Sequence, residues 1–152
     1  MKGREIERKF LLKSVPSTLR RAQGHLIHQG YLVTNNEGRH VRLRKRGARA
    51  SLTFKAGGGV ERQEHEIALT SKQFNALWPA TAGRRLRKVR YEVKRQGLVI
   101  EIDVYRGRNQ GLIVAEVEFP NRRACQRFKP PEWFGPEVTG NKRYSNIRLA
   151  TE

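Results

Sequence analysis

Acidic residues are scarce in this chain, yet eight of the 14 stand in four pairs spaced i, i+2: Glu5 and Glu7, Glu64 and Glu66, Glu101 and Asp103, Glu116 and Glu118. On an extended strand successive side chains point to opposite faces, so each pair shares a face with its members about 7 Å apart. At an effective dielectric of 20, two such carboxylates repel by roughly 2 kcal/mol. A surface strand in a chain with 32 Lys and Arg could easily avoid that cost. Its fourfold repetition indicates carboxylates converging on something positive.

The segments around these pairs read as strands, at 3–12, 25–33, 38–46, 50–56, 61–69, 85–95, 97–106 and 112–119. Turn residues separate them: Asn35-Asn36-Glu37-Gly38, Gly47-Ala48, Gly57-Gly58-Gly59, Gln96-Gly97, and Gly107 through Gly111. Such short connections predict an antiparallel meander. A short helical turn is expected from Pro16 to about Gln23. Thr70 and Gln73 form a capping-box pattern that starts a helix ended by Pro79. Asn121 caps another helix through Phe128, and a third is expected from about Asn141 to Ala150.

Alternation then sorts the strand faces. Glu5, Glu7 and Lys9 align, as do His40, Arg42, Arg44 and Arg46; Arg62, Glu64 and Glu66; Lys88, Arg90 and Glu92. Behind the acids of the later strands lie Ile100, Ile102 and Val104, then Ala115, Val117 and Phe119. A solvated sheet face shows the same alternation on any one strand. Taken over all strands it fits better with a closed barrel, charged inside, with apolar outer faces partly covered by helices; eight strands suffice to close one. The expected fold is therefore mainly β within an α+β class: an eight-stranded antiparallel barrel tunnel with a few flanking helices.

At 152 residues one domain spanning 1–152 is expected, large enough to bury roughly 68–70% of its unfolded surface. No apolar run approaches the 18 residues of a membrane span, and the opening MKGREIERKF lacks an apolar leader. Cys125 is alone, so no internal disulfide forms, and a reducing cytoplasmic setting is expected. Cys125 itself reads as a small buried or half-buried helix residue.

Carboxylates without His or Cys clusters favour hard cations, Mg²⁺ or Mn²⁺, over zinc. The histidines (His25, His28, His40, His65) form no HxxxH pair and read as structural or surface residues. Arg42, Arg44, Lys55, Arg62, Lys88 and Arg90, taken as inward-facing, suit phosphate oxygens. Acids for metal and bases for phosphate in one cavity imply a metal–polyphosphate substrate. Gly57-Gly58-Gly59 is a hairpin turn rather than a phosphate loop, since no Gly-Lys-Ser/Thr follows. Trp78 and Trp133 read as packing residues.

These motifs together resemble the CYTH superfamily, the triphosphate tunnel metalloenzymes, over nearly the whole chain. EIERKF is similar to that family's N-terminal Glu-x-Glu-x-Lys. Gln29-Gly30-Tyr31-Leu32, Arg42-Leu43-Arg44, Lys55, Arg62 to Glu66, Lys88 to Tyr91, Glu101-Ile102-Asp103, Glu116 to Phe119 and Val138 to Asn146 follow in the family's order. The likeness is greatest to short, single-domain bacterial members that act on inorganic triphosphate. The resemblance implies one cation held chiefly by Glu5, Glu7 and Glu116, and a second, water-activating cation around Glu101, Asp103 and Glu118. Glu64 and Glu66 would hold metal or orient the bases. Lys9, Arg42, Arg44, Lys55, Arg62, Lys88, Arg90 and Lys142 would hold phosphates. It also implies a Tyr–Lys base, here Tyr31 and Lys88; a free tyrosine titrates near 10, so positive charge must stand close by.

The activity so implied is hydrolysis of triphosphate to pyrophosphate and phosphate. On the same fold, a class IV adenylate cyclase or a thiamine or nucleoside triphosphatase is the alternative, and a non-catalytic polyphosphate- or RNA-binding module is a further one. The four acid pairs argue against the last, because anion binding alone is better served without them. The eight acids and eight bases of this site cancel, so the net +18 lies elsewhere, in Arg20-Arg21, Lys45-Arg46, Arg84-Arg85, Arg106, Arg108 and Arg122-Arg123 among others. That excess either steers anions to the tunnel, binds polyanions non-specifically, or has no partner. The chain is expected to be a monomer or homodimer without a membrane partner.

Overall fold

The computed structural model describes residues 5–19, 23–35, 39–58 and 61–151; Arg20, Arg21, the turn at 36–38 and Gly59 lie outside the described residues, as do the side chains at 58, 61 and 62. Eight strands form: β1 (Glu5–Leu11), β2 (His25–Thr34), β3 (His40–Arg46), β4 (Arg49–Gly58), β5 (Glu61–Leu69), β6 (Arg85–Arg95), β7 (Leu98–Tyr105) and β8 (Ile113–Glu118). They close into a barrel in the order β1-β5-β4-β3-β2-β6-β7-β8, and every neighbouring pair is antiparallel. The expected architecture is thus the observed one.

Two-residue turns set the β3–β4 and β6–β7 hairpins. Gln96 and Gly97 both have positive φ (54° and 72°), the backbone a tight primed turn requires between right-twisted strands. Closure is less local. β1 lies between the last strand and the fifth: Glu7 to Leu11 pair with Glu118 to Val114, while Glu5 and Ile6 pair with Arg62 and Glu61.

Alternation puts the apolar faces outward, where helices and loops cover them. Phe10, Ile100, Ile102, Ala115 and Val117 are buried against Phe119, Cys125 and Phe128, the last two in or just after α2 (Arg122–Arg127). Asn121 caps that helix through the Ala124 amide (2.8 Å). Helix α1 (Ser71–Leu77) opens with the expected capping box: Thr70 Oγ1 accepts from Gln73 N (3.1 Å) and Gln73 Oε1 from Thr70 N (2.8 Å). Its Phe74 packs on Leu43 and Ala50. Trp78 stacks on Phe74 and Trp133 meets Phe134 edge-on, the packing roles read from the sequence. His65 stacks on Phe54.

At one end the lumen is apolar. Tyr31, Leu86, Tyr105 and Val114 pack there against Ala150, Ile147 and Leu149 of α3 (Asn146–Thr151). The single helix expected over 141–150 is broken: Lys142–Tyr144 is a 3-10 turn, and Ser145 is extended (ψ 145°). The cause is a cap, because Ser145 Oγ accepts from Arg148 N (3.3 Å) and starts α3 afresh. Among the described residues no helix is long and apolar enough to cross a membrane.

Gly30 shows how tightly the wall is packed. A Cβ there would stand 2.7 Å from Thr81 Cβ and Oγ1 and 2.8 Å from the Trp78 ring. Thr81 is itself tied to Trp78 O (2.7 Å), so neither can swing aside freely. Gly30→Ala is expected to destabilise by roughly 1–3 kcal/mol in urea unfolding; a change within about 0.5 kcal/mol, the usual surface-substitution range, would show that this contact yields.

Candidate active site

The lumen holds a cavity of about 850 Å³. Of the residues singled out from the sequence, Glu5, Glu7, Lys9, Tyr31, Arg42, Arg44, Lys55, Glu64, Glu66, Arg90, Glu101, Glu116, Glu118 and Lys142 line it. Lys88 and Asp103 lie behind that lining, each 0% exposed. Arg62 is placed by its backbone opposite Glu5; its side chain lies outside the described residues.

Strand order divides the charge. Going round the barrel, β7, β8, β1 and β5 are contiguous and carry the four acid pairs. β4, β3, β2 and β6 are contiguous and carry Lys55, Arg42, Arg44, Lys88 and Arg90. Lys9 on β1, Arg62 on β5 and Glu92 on β6 cross the division. One side of the lumen is therefore acidic and the other basic.

The two sides meet in ion pairs. Arg90 is bidentate on Asp103 (Nε–Oδ1 2.7 Å, Nη2–Oδ2 2.9 Å) and reaches Glu101 Oε2 (2.8 Å). Lys88 Nζ lies 2.8 Å from Asp103 Oδ2, an ion pair without hydrogen-bond alignment. Lys9 Nζ lies 3.5 Å from Glu116, and Lys55 Nζ lies 3.5 Å from Glu5 and 3.7 Å from Glu64. Burial opposes the Asp103 charge, but Lys88 and Arg90 outweigh it and hold the carboxyl down at about 2. Burial likewise opposes charge on Glu116, where Lys9, Lys88 and Arg90 prevail and hold it well below the usual range. Glu101 is pushed up, first by burial, with Arg90 opposing. Burial lowers Lys88 to about 7 against the pull of Asp103. Arg44 is lowered by burial and by Arg42 and Arg90, yet a guanidinium so placed still carries its charge at neutral pH.

Among the described residues no three His, Cys, Asp or Glu side chains form a ready-made metal cluster; Glu5, Glu64, Glu101, Asp103 and Glu116 instead face bases. The donor set nevertheless suits a hard cation, since it is all carboxylate oxygen. Glu5 Oε2 in particular is buried without a hydrogen-bond partner beside the cavity, with Lys55 Nζ at 3.5 Å.

Several functional candidates were not assigned roles from the sequence. Gln29 is fully buried between Arg44 and Tyr31: its Oε1 accepts from Arg44 Nε (3.1 Å) and Nη2 (3.0 Å), and its Nε2 donates to the Tyr31 hydroxyl (2.9 Å). His40, read as structural or surface, lines the cavity with its ring edge-on to Tyr31 (5.2 Å). Its alternation with Arg42 and Arg44 was the available signal. Tyr105 is buried beside this group with its hydroxyl 2.5 Å from Asn146 Oδ1. Lys88 pairs across the sheet with Ile27, four residues before Tyr31, and its ammonium lies 5.6 Å from the centre of the Tyr105 ring. The 137–148 segment reaches the lumen because β1 holds it: Val138 N donates to Lys9 O (2.8 Å), Lys9 N to Thr139 Oγ1 (3.0 Å), and Arg8 pairs with Glu137 (2.7 Å).

Asp103→Asn leaves Lys88 and Arg90 buried without their anion, which is expected to cost roughly 3–5 kcal/mol at pH 7, with Lys88→Met added to it restoring part. The Asp103 pKa is lower in the folded than in the unfolded chain. Its stabilising contribution is therefore complete above pH about 4 and lost as pH falls toward about 2. Urea unfolding of the wild type between pH 5 and 2 is expected to show that loss, and Asp103→Asn to lack that component.

Residues 3–122 match the family model described as the CYTH domain. The chain is 46% identical over 149 residues to an inorganic triphosphatase of Nitrosomonas europaea, covering 96% of each chain. It is 35% identical over 149 residues to an inorganic triphosphatase of Acetivibrio thermocellus, covering 97% of this chain and 93% of the relative. A crystal structure of an inorganic triphosphatase superposes with a TM-score of 0.72 at 43% identity, covering 97% of this chain and 95% of that one. With four-fifths of its length matched by the family model and two relatives aligned almost end to end, this chain belongs to the CYTH domain family.

Proposed function

We propose that this chain is a divalent-metal-dependent triphosphatase that cleaves inorganic triphosphate to pyrophosphate and phosphate. The observation that carries this reading is the division of one lumen into an acidic and a basic side. A phosphate chain needs the basic side, and a pure anion binder has no use for four carboxylate pairs opposite. The names of the two full-length relatives support the same substrate.

Glu5, Glu7 and Glu116, and Glu101, Asp103 and Glu118, would hold Mg²⁺ or Mn²⁺, which when bound neutralises phosphate charge and activates water. Arg42, Arg44, Lys55, Arg90 and Lys142 bind the phosphate oxygens, with guanidiniums placed for bidentate contact. As phosphate takes the bases, the ion pairs within the lumen are exchanged rather than lost. The helical end of the lumen is apolar, so water is restricted to the charged part. Gln29 donates to the Tyr31 oxygen, so the phenolic proton points elsewhere. Tyr31 is the proposed proton acceptor. Lys88, lowered to about 7, exchanges a proton near neutral pH and supplies positive charge within the same wall.

Phosphate release from triphosphate, ATP and thiamine triphosphate, each with Mg²⁺, Mn²⁺ or EDTA, tests the proposal. Rapid EDTA-sensitive cleavage of triphosphate alone is expected. Cyclic AMP formed from ATP without phosphate release would move the assignment to a cyclase, and no turnover with any substrate would leave a binding module. Glu5→Ala and Glu116→Ala are each expected to lower metal-dependent activity at least about 100-fold; full activity in either would overturn the metal assignment. Tyr31→Phe is expected to lower kcat by about 10²- to 10⁴-fold, the range for loss of a general base, with a smaller effect on KM.

A further inference from the structure

The outer face of the same barrel carries a row of bases that the tunnel does not use. Across neighbouring strands Lys45 pairs with His28 and His28 with Arg87. One step beyond the Lys88–Tyr105 pair, Arg106 N donates to Arg87 O (3.0 Å), which sets Arg106 beside Arg87. Four strands thus align Lys45, His28, Arg87 and Arg106. Like charges directly opposite on adjacent strands are destabilising, so the placing of Arg106 beside Arg87 is an unusual use of a sheet face. A second cavity, of about 310 Å³, opens over it, lined by His28, Arg87 and Arg106 together with Trp78, Arg85 and Arg108.

Inside the barrel Lys9, Lys55, Lys88 and Arg90 meet carboxylates. This cavity has no acidic residue in its lining, and among the described residues none of Arg85, Arg87, Arg106 and Arg108 pairs with a carboxylate. The rim is fixed in place. Arg85 donates to Thr81 Oγ1 (2.8 Å) and Trp78 O (2.8 Å), and Arg108 donates to Ala150 O (2.8 Å). Arg87 and Arg106 make no side-chain hydrogen bond or ion pair among the described residues, and both are exposed. Their guanidiniums are therefore unspent, while Arg85 and Arg108 beside them are tied down.

We infer that this outer cavity is a second anion site, separate from the tunnel, that takes a short inorganic phosphate chain through Arg87 and Arg106. Trp78 argues for phosphate rather than nucleobase recognition. Its ring is already stacked on Phe74 (5.1 Å) and covered by the Arg85 guanidinium (4.5 Å), so it offers no open platform for a base. The volume lies at the small end of ligand pockets, which suits two or three phosphates and not a folded polymer.

The test is an NMR titration of ¹⁵N-labelled protein with pyrophosphate in EDTA, at ionic strength held constant with KCl. The Trp78 indole and the Gly107 and Asn109 amides report the outer cavity; the Gly140 and Asn141 amides report the tunnel. Saturable shifts of the outer set are expected. Arg87→Gln with Arg106→Gln should weaken the outer set at least tenfold, leave the tunnel set unmoved as the control for folding, and change triphosphate hydrolysis less than about twofold. An outer set that stays still, that responds only as it does to added chloride, or that keeps its affinity in the double variant overturns the inference. So does an outer set that ignores pyrophosphate but binds a single-stranded RNA oligonucleotide. Because the outer set is read without turnover, failure of the triphosphatase assignment would leave this result standing, and the reverse.

Discussion

The Lys88–Asp103–Arg90–Glu101 chain is the interaction on which the rest of the lumen depends. A carboxylate removed from water pays a desolvation cost of several kcal/mol, which only good geometry and further hydrogen bonds repay. Asp103 meets both conditions, with a bidentate guanidinium on one side and an ammonium at 2.8 Å on the other. The balance is not symmetrical. Asp103 is held strongly ionised, whereas Lys88 is lowered to about 7. An apolar layer of Tyr31, Leu86, Tyr105 and Val114 lies beyond this chain, so the charges can be neutralised only from within the barrel.

This dependence explains why the barrel must close. An open sheet with the same inward residues would leave one edge of the acid group on β1 and β8 without its bases across the lumen. Closure by pairing of Glu5 and Ile6 of β1 with β5 leaves Lys55 of β4 with its Nζ 3.5 Å from Glu5. The outer apolar faces supply the driving force for holding these charges: Phe10, Ile100, Ile102 and Val117 are each at most 2% exposed beneath the loops and α2. Charge inside and hydrocarbon outside is the reverse of an ordinary globular core. It is stable here because the hydrocarbon face has a second layer to pack against.

Much of this was legible in the sequence because a strand reports its faces at period two. Glu101 and Asp103 against Ile100 and Ile102 can be sorted without any structure, and Gln96-Gly97 and Thr70 with Gln73 announce their turn and cap. The division of the lumen into two sides was not legible, because it depends on β1 lying between β5 and β8, a pairing across more than 100 residues that no local pattern records. His40, read as structural or surface, lines the cavity, a placement its alternation with Arg42 already carried. Gln29 carries no charge to draw attention, and its role comes from Arg44 and Tyr31 meeting it. The break at Ser145 was written locally, since a serine followed by helix formers is an N-cap pattern, but the 3-10 turn before it hid the boundary.

The same strands treat charge in opposite ways on their two faces. On β6, Lys88 and Arg90 point inward to Asp103 and Glu101, while Arg87 points outward beside His28 and Arg106. His28 shows the consequence: its pKa is lowered, first by burial and then by Arg87 and Lys45, so it adds no positive charge to a row that already has too much. The inner face cancels its charge and therefore cannot account for a net +18. The outer face carries part of that excess, with the like charges of Arg87 and Arg106 directly opposed at a cost in stability. A random scatter of surface bases would spread those charges apart to reduce repulsion. Their alignment over one fixed cavity is the property that separates a site from a merely basic surface.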